Sequence, residues 1–178
     1  MKITKELLKE KGACADGYRD FLKEYPVDKY PDGVEYQELL DCCAEKNFEY
    51  GSWLLEMFGR TDEVRKIGSD LIVEKGIIFA GQLEVRGCIE AGNGIKAGRG
   101  IEAGDGIKAG WGIEADYGIE AGWGIKAGDG IKSGCEFGVY AGLRCKITNK
   151  TFRKIVAKER PENIMCGEFE EKSDSEGK

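Results

Sequence analysis

The chain has 178 residues, 41% of them hydrophobic, and a formal net charge of -6 at pH 7. That length allows one sizeable domain, or a small domain joined to an array of repeats, and the acidic balance argues against general nucleic-acid binding. No apolar run is long enough to span a bilayer and the start, MKITKELLKEKG, lacks the apolar core of a signal peptide, so the expected location is cytoplasmic, with no membrane partner.

Residues 1–66 read as an α-helical capping module. Thr4 can cap a helix through Lys11, which Gly12 ends. Tyr18, Phe21, Leu22 and Tyr25 fall at helical spacing, so Ala13 to Tyr25 should bury one stripe before Pro26 stops it. After Pro31-Asp32-Gly33, a third helix turns Leu39, Leu40 and Cys43 inward, and a fourth, Phe48 to Phe58, presents Trp53, Leu54, Met57 and Phe58. Four short helices bury little alone. They are expected to pack on the open end of a repeat array that begins at residue 67, where unpaired strand edges need cover.

Residues 67–148 read as a hexapeptide-repeat β-solenoid. From Ile89 to Gly130 the sequence is IEAGNG IKAGRG IEAGDG IKAGWG IEADYG IEAGWG IKAGDG. Two apolar residues around one polar residue form a short strand with one buried face, I-x-A. In the same register the first position runs Leu71, Ile77, Leu83, then isoleucine from Ile89 to Ile131, Phe137 and Leu143. The third runs Val73, Phe79, Val85, then alanine from Ala91 to Ala127, Ser133, Val139 and Cys145. The G-x-G after each strand is a sharp turn, assigned to glycine's tolerance of φ > 0. Stacked coils then supply a core that no single rung has. The fold class is therefore mainly β, a solenoid with a helical cap and carboxy-terminal strands.

Charge bears on the winding. Three hexapeptides per coil stack Glu84, Glu102 and Glu120 in one repulsive column, whereas four give columns of alternating sign. Three is the familiar solution and is adopted. The acidic column is then a tolerated cost or an attractor for a basic partner. Between the glycines stand Asn93, Arg99, Asp105, Trp111, Tyr117, Trp123 and Asp129. Neighbouring turns manage with Asp, Asn and Arg, so stability does not require aromatics there, and exposed Trp and Tyr are enriched at binding hot spots. Trp111, Tyr117, Trp123, Arg99 and Asp105 are the candidate partner-binding residues. The competing reading is that the rings only lie across glycine turns and shield backbone.

Residues 149–178 read as carboxy-terminal strands and a disordered acidic tail. Lys150 to Lys158 suggests one or two strands, Asn163 to Phe169 a last one, and Glu170 to Lys178 a polar tail. Lys150, Arg153, Lys154 and Lys158 could hold an anion such as a nucleic-acid phosphate. A solvated edge strand that uses lysine against aggregation is the stronger reading, so nucleic acid is not the favoured partner.

Catalytic residues are not identified. Acyltransferases built on hexapeptide solenoids use a histidine base and place the small inward residue two before the aliphatic one, whereas this chain has no histidine and Ala follows Ile by two. Glu90, Glu102, Glu114 and Glu120 could in principle pair for acid and base work, but they read better as outward partners of Lys96, Lys108, Lys126 and Lys132. The seven cysteines include no C-x-x-C pair and are read as reduced thiols, so neither metal nor cofactor is expected.

Ala13-Cys14-Ala15-Asp16-Gly17, Tyr18, Phe21, Tyr25-Pro26 and Trp53-Leu54-Leu55, followed by I-E/K-A-G-W/D-G repeats, resemble a group of small phage and prophage proteins along nearly the whole chain. Asp116, which replaces a repeat glycine, departs from the pattern. The resemblance implies a phage-encoded accessory protein acting in the host cell without catalysis, for example by inhibiting a host defence component. Three readings compete. The first is a binding protein that inhibits a host protein or sequesters a ligand through the solenoid surface, as a closed homodimer. The second is a self-assembling scaffold like bactofilins, and the third, disfavoured, is an enzyme.

Overall fold

The computed structural model describes residues 1–145 and 148–172. Its amino-terminal part contains α1 (Lys5–Glu10), α2 (Ala15–Glu24), α3 (Tyr36–Lys46) and α4 (Phe48–Phe58), with a small antiparallel ribbon of β1 (Lys2–Ile3) and β2 (Val34–Glu35). Thr4 Oγ1 accepts from Leu7 N at 3.2 Å and caps α1, as its sequence position suggests. Cys14 Sγ does the same for α2 through Gly17 N. Leu39, Leu40 and Leu54 are buried, but Met57 is exposed and Leu55 is buried instead. Gly59 ends α4 at φ 77°, a conformation that disfavours any side chain.

Sixteen short parallel strands come next among the described residues. They are β3 (Val64–Ile67), β4 (Leu71–Val73), β5 (Ile77–Phe79), β6 (Gln82–Val85), β7 (Ile89–Ala91), β8 (Ile95–Ala97), β9 (Ile101–Ala103), β10 (Ile107–Ala109), β11 (Ile113–Ala115), β12 (Ile119–Ala121), β13 (Ile125–Ala127), β14 (Ile131–Lys132), β15 (Val139–Ala141), β16 (Lys154–Ala157), β17 (Ile164–Cys166) and β18 (Glu168–Glu171). Ile107 pairs with Ile89 and Ile125, so residues eighteen apart face each other and each coil holds three hexapeptides. The coil has three faces. The first is β3-β6-β9-β12-β15-β17, the second β4-β7-β10-β13-β16-β18, and the third, shorter by two strands, β5-β8-β11-β14. Isoleucines 89 to 125 of the repeat are each 0–2% exposed and the repeat alanines 0–8%. Each isoleucine so buried contributes about 1.5–3 kcal/mol relative to solvent exposure.

The repeat glycines do not serve as the turn chemistry suggested. Among the described residues, positive φ occurs only at Gly12, Gly33, Gly59, Gly142 and Gly167, none of them in the regular repeats. Close approach between coils is the cause. A Cβ on the first glycine of each turn would meet the carbonyl oxygen of the coil before it, at 1.8 Å for Gly110 and 1.6 Å for Gly128. Asp116 occupies that position at one corner, and the coils there stand apart. Its N–H reaches Ala97 O at 3.4 Å, where the glycines at 92, 98, 104, 110, 122 and 128 make the equivalent bond at 2.8–3.1 Å.

Beyond Ile131 the six-residue register breaks. Val139 lines up with Ile119, twenty residues earlier, so two extra residues enter and Phe137 is 40% exposed. Leu143 is likewise outside. Ile155 then takes the core place above Ile125, after a longer excursion through a 3-10 turn at Lys150–Arg153. Lys154–Ala157 is thus an interior strand, flanked by β13 and β18, and not an edge. Glu170 and Glu171 belong to β18, while the rest of the tail expected to be disordered lies, from residue 173, outside the described residues.

The helices pack on the short face, against β5 and its free edge. Ile78 stands where the repeats place Glu or Lys and is 1% exposed beneath the helices. Gly51 makes room for it, since a Cβ there would lie 2.4 Å from Ile78 Cδ1. The edge itself is satisfied by one carboxamide. Gln37 Nε2 donates to Ile78 O at 2.8 Å, and Ala80 N donates to Gln37 Oε1 at 3.0 Å, which imitates a neighbouring strand. Among the described residues no strand pairs with the other two edges of the first coil, β3 and β4.

Both ends of the core are closed by an arginine on a phenylalanine. At the first coil Arg65 holds the inward position in line with Leu83, and its guanidinium lies 4.4 Å from the centroid of Phe79, which replaces an inward alanine. At the last, Phe169 lines up with Ile155 and Arg160 lies 5.9 Å from its ring. On β3, a terminal strand, the inward charge of Arg65 opposes addition of another apolar rung, whereas Arg160 is exposed and reaches Phe169 from the segment between β16 and β17.

Candidate functional site

Trp111, Tyr117 and Trp123 occupy the three corners of one coil. Trp111 lies between β10 and β11, Tyr117 between β11 and β12, and Trp123 between β12 and β13. Each leans on a second ring. Trp111 meets Phe48 edge-on at 6.1 Å, Tyr117 stacks on Phe137 at 4.5 Å, and Trp123 tilts against Phe152 at 5.7 Å. Tyr117 also receives the guanidinium groups of Arg60 and Arg99, at 5.0 and 5.4 Å, and is half-buried. Trp111 and Trp123 keep 46% and 47% of their surface exposed. Shielding thus describes Tyr117 better than it describes the two tryptophans.

The short face is the floor of a trough of about 1190 Å³. One wall holds Trp111 and Phe48, the other Tyr117 and Phe137, and residues 159–163 cross its far end. The near end is the helical module, through Glu49 and Arg60. On the floor Lys96, Glu114 and Lys132 stand in line. Lys96 Nζ lies 3.1 Å from Glu114 and 3.5 Å from Glu56, with only 12% of its side chain exposed, so this part of the floor is charge-paired.

Of the five candidate partner-binding residues, the trough gathers Trp111 and Tyr117. Arg99 is half-buried and already engaged, bound to the exposed Asp62 at 2.8 Å beside the Tyr117 ring. Trp123 and Asp105 share a different corner, where Trp123 N donates to Asp105 O. The candidate anion site is threaded with carboxylates. Lys158 Nζ meets Asp129 at 3.0 Å, Lys150 meets Glu168 at 3.9 Å and Lys154 pairs with Glu170. Arg153 lies across Gly142. Phe137 and residues 159–163 add lining that the sequence pattern does not indicate. The signal for Phe137 was the lost period after Ser133.

On the first face Glu84, Glu102 and Glu120 do stack. The repulsion is partly offset, because Lys66 meets Glu84 at 2.8 Å and Gln82 Nε2 donates to Glu84 and Glu102 at 3.1 and 2.8 Å. Partial burial of its carboxyl in the column, with Glu120 and Glu84 beside it, still holds Glu102 above its ordinary pKa although the residue stays exposed. In the helical module a cleft of about 500 Å³ separates α2 from α3 and α4, lined by Tyr25, Tyr50, Trp53 and the thiols of Cys14, Cys42 and Cys43. Burial, with Cys42 adjacent, pushes the Cys43 thiol up to about 12, which keeps it protonated and a poor nucleophile.

Among the described residues no three His, Cys, Asp or Glu side chains are placed to hold a metal ion, and no helix is long and apolar enough to cross a membrane. No curated protein and no solved structure matches the chain significantly. Residues 1–62, the helical module up to the first solenoid strand, match the family profile of the YdhT N-terminal domain.

Proposed function

We propose that the protein is a non-enzymatic binding protein whose solenoid presents the short-face trough to a macromolecular partner. The observation that carries this reading is the half-exposed Trp111 at the wall of a trough already walled by Phe48, Tyr117 and Phe137. An aromatic anchor on rigid backbone loses little conformational entropy when it is covered, which favours it as a hot spot. The resemblance to phage accessory proteins makes a host protein the expected partner, with inhibition of a defence component as the effect, in the host cytoplasm. The expected assembly is a closed homodimer. The rival reading, a scaffold that grows end to end, is opposed at the first coil by the inward Arg65 over Phe79, and at the last by the cation that Arg160 brings to Phe169.

The test is affinity capture from host lysate, quantified by mass spectrometry, with wild type, Trp111→Asp and Trp123→Asp side by side. Asp is the residue used at the next turn of the same corner, Asp129, so the fold tolerates it. A partner retained by wild type and Trp123→Asp but lost by Trp111→Asp supports the trough. Capture indifferent to Trp111 refutes it.

A further inference from the structure

We infer that the trough takes a cationic segment of its partner, with an arginine guanidinium on Trp111. This rests on the docking reading above and adds the chemistry of the occupant. Seven carboxylates and four cations line the trough. The pairs Arg60 with Asp116 and Lys96 with Glu114 consume two of each, and Lys158 reaches in to Asp129. Glu49, Glu136, Glu159 and Glu162 are exposed and have no ion pair among the described residues. Opposing them are Lys132, and Arg160, which is drawn to the Phe169 ring. The rim therefore carries an uncompensated negative field with an aromatic surface beneath it, and such a field draws in and orients a positive partner.

The opposite wall shows how a guanidinium sits here. Arg60 and Arg99 both approach the Tyr117 ring within 5.4 Å. Trp111 has the stronger cation-binding face of the two ring types, and among the described residues no cation lies over it. A lysine would satisfy the carboxylates equally well. The planar guanidinium also stacks, which selects arginine.

The experiment uses the full chain with Trp53→Phe and Trp123→Phe, so that Trp111 is the sole tryptophan reporter. Three synthetic peptides are titrated, alternating glycine with arginine, serine or glutamate, and Trp111 fluorescence is followed. The arginine peptide is expected to bind. Glu136→Gln, Glu159→Gln and Glu162→Gln together should weaken it at least tenfold, and Glu84→Gln, Glu102→Gln and Glu120→Gln, on another face, should leave it unchanged. Should the reporter variant fold poorly, calorimetry on the wild-type tryptophan background makes the same comparison. Serine or glutamate peptides that bind as well as the arginine peptide overturn the cationic assignment while leaving a docking trough. An arginine peptide that does not bind, or that is insensitive to the three Glu→Gln changes in the trough, overturns the assignment outright.

Discussion

The two glycines of a single turn should respond oppositely to alanine. A Cβ on Gly110 would lie 1.8 Å from Gly92 O, about 1.6 Å inside the 3.4 Å at which ordinary contact begins. Both atoms are backbone, so only separation of the two coils can relieve the clash. That separation stretches the bonds from Gly110 N to Ala91 O and from Trp111 N to Asn93 O, now 3.0 and 3.2 Å. With about 0.5–1.5 kcal/mol at stake per bond, Gly110→Ala should cost about 2 kcal/mol, which lowers Tm by roughly 4–8 °C for a chain of this size. Gly112, two residues on, would place its Cβ 3.4 Å from Gly130 O, in ordinary contact. There the loss of unfolded-chain entropy should make alanine neutral, or stabilising by up to about 1 kcal/mol. Thermal and urea unfolding of the two variants measure the difference. Equal effects at 110 and 112 would refute coil proximity as the reason for the glycine period.

Three further outcomes concern the core and its ends. Ala109→Leu, inside the coil, should cost about 1–3 kcal/mol by overpacking, whereas Lys108→Leu, on the exposed face, should be mild; urea unfolding compares them. Because the pKa of Glu102 is raised in the folded state, its charged form destabilises the fold at neutral pH, and the penalty fades as pH falls through the folded pKa toward the ordinary glutamate value. Glu102→Gln should therefore raise Tm near neutral pH and lose that advantage in acid, and a gain that is independent of pH would count against the acidic column. Arg65→Ile with Arg160→Leu should turn a species of fixed size into one whose mass by light scattering rises with concentration, and an unchanged mass would show that the arginines do not close the ends.

Much of this architecture was readable because the repeat states its inward residues twice per rung. Ile and Ala alternate around one polar position, and repulsion in a column of Glu84, Glu102 and Glu120 proved a smaller obstacle to three-sided winding than it looked. Gln82 and Lys66 reduce it, and neither contact is visible from spacing alone. Extending the register past Ile131 by counting sixes misplaced Phe137 and Leu143, since a solenoid accepts extra residues at a corner without disturbing the rungs on either side. The period carries no information there. The helical module was legible as helices, but its mode of attachment was not. Gln37 at a strand edge and Ile78 at a polar position are single residues whose meaning depends on distant partners. The trough was half visible, as three aromatics in successive turns, and its closing wall came from the irregular segment at 159–163.

The claim that the short face is the docking surface is tested most directly by site-specific photo-crosslinking. A photoreactive phenylalanine analogue is placed singly at Trp111 on the trough wall, at Glu102 on the first face and at Ile72 on the first rung, all of them exposed, and each protein is irradiated with the partner obtained by capture. The account predicts a covalent adduct from position 111 and none from 102 or 72. Adducts from 102 or 72 in the absence of one from 111 would contradict it.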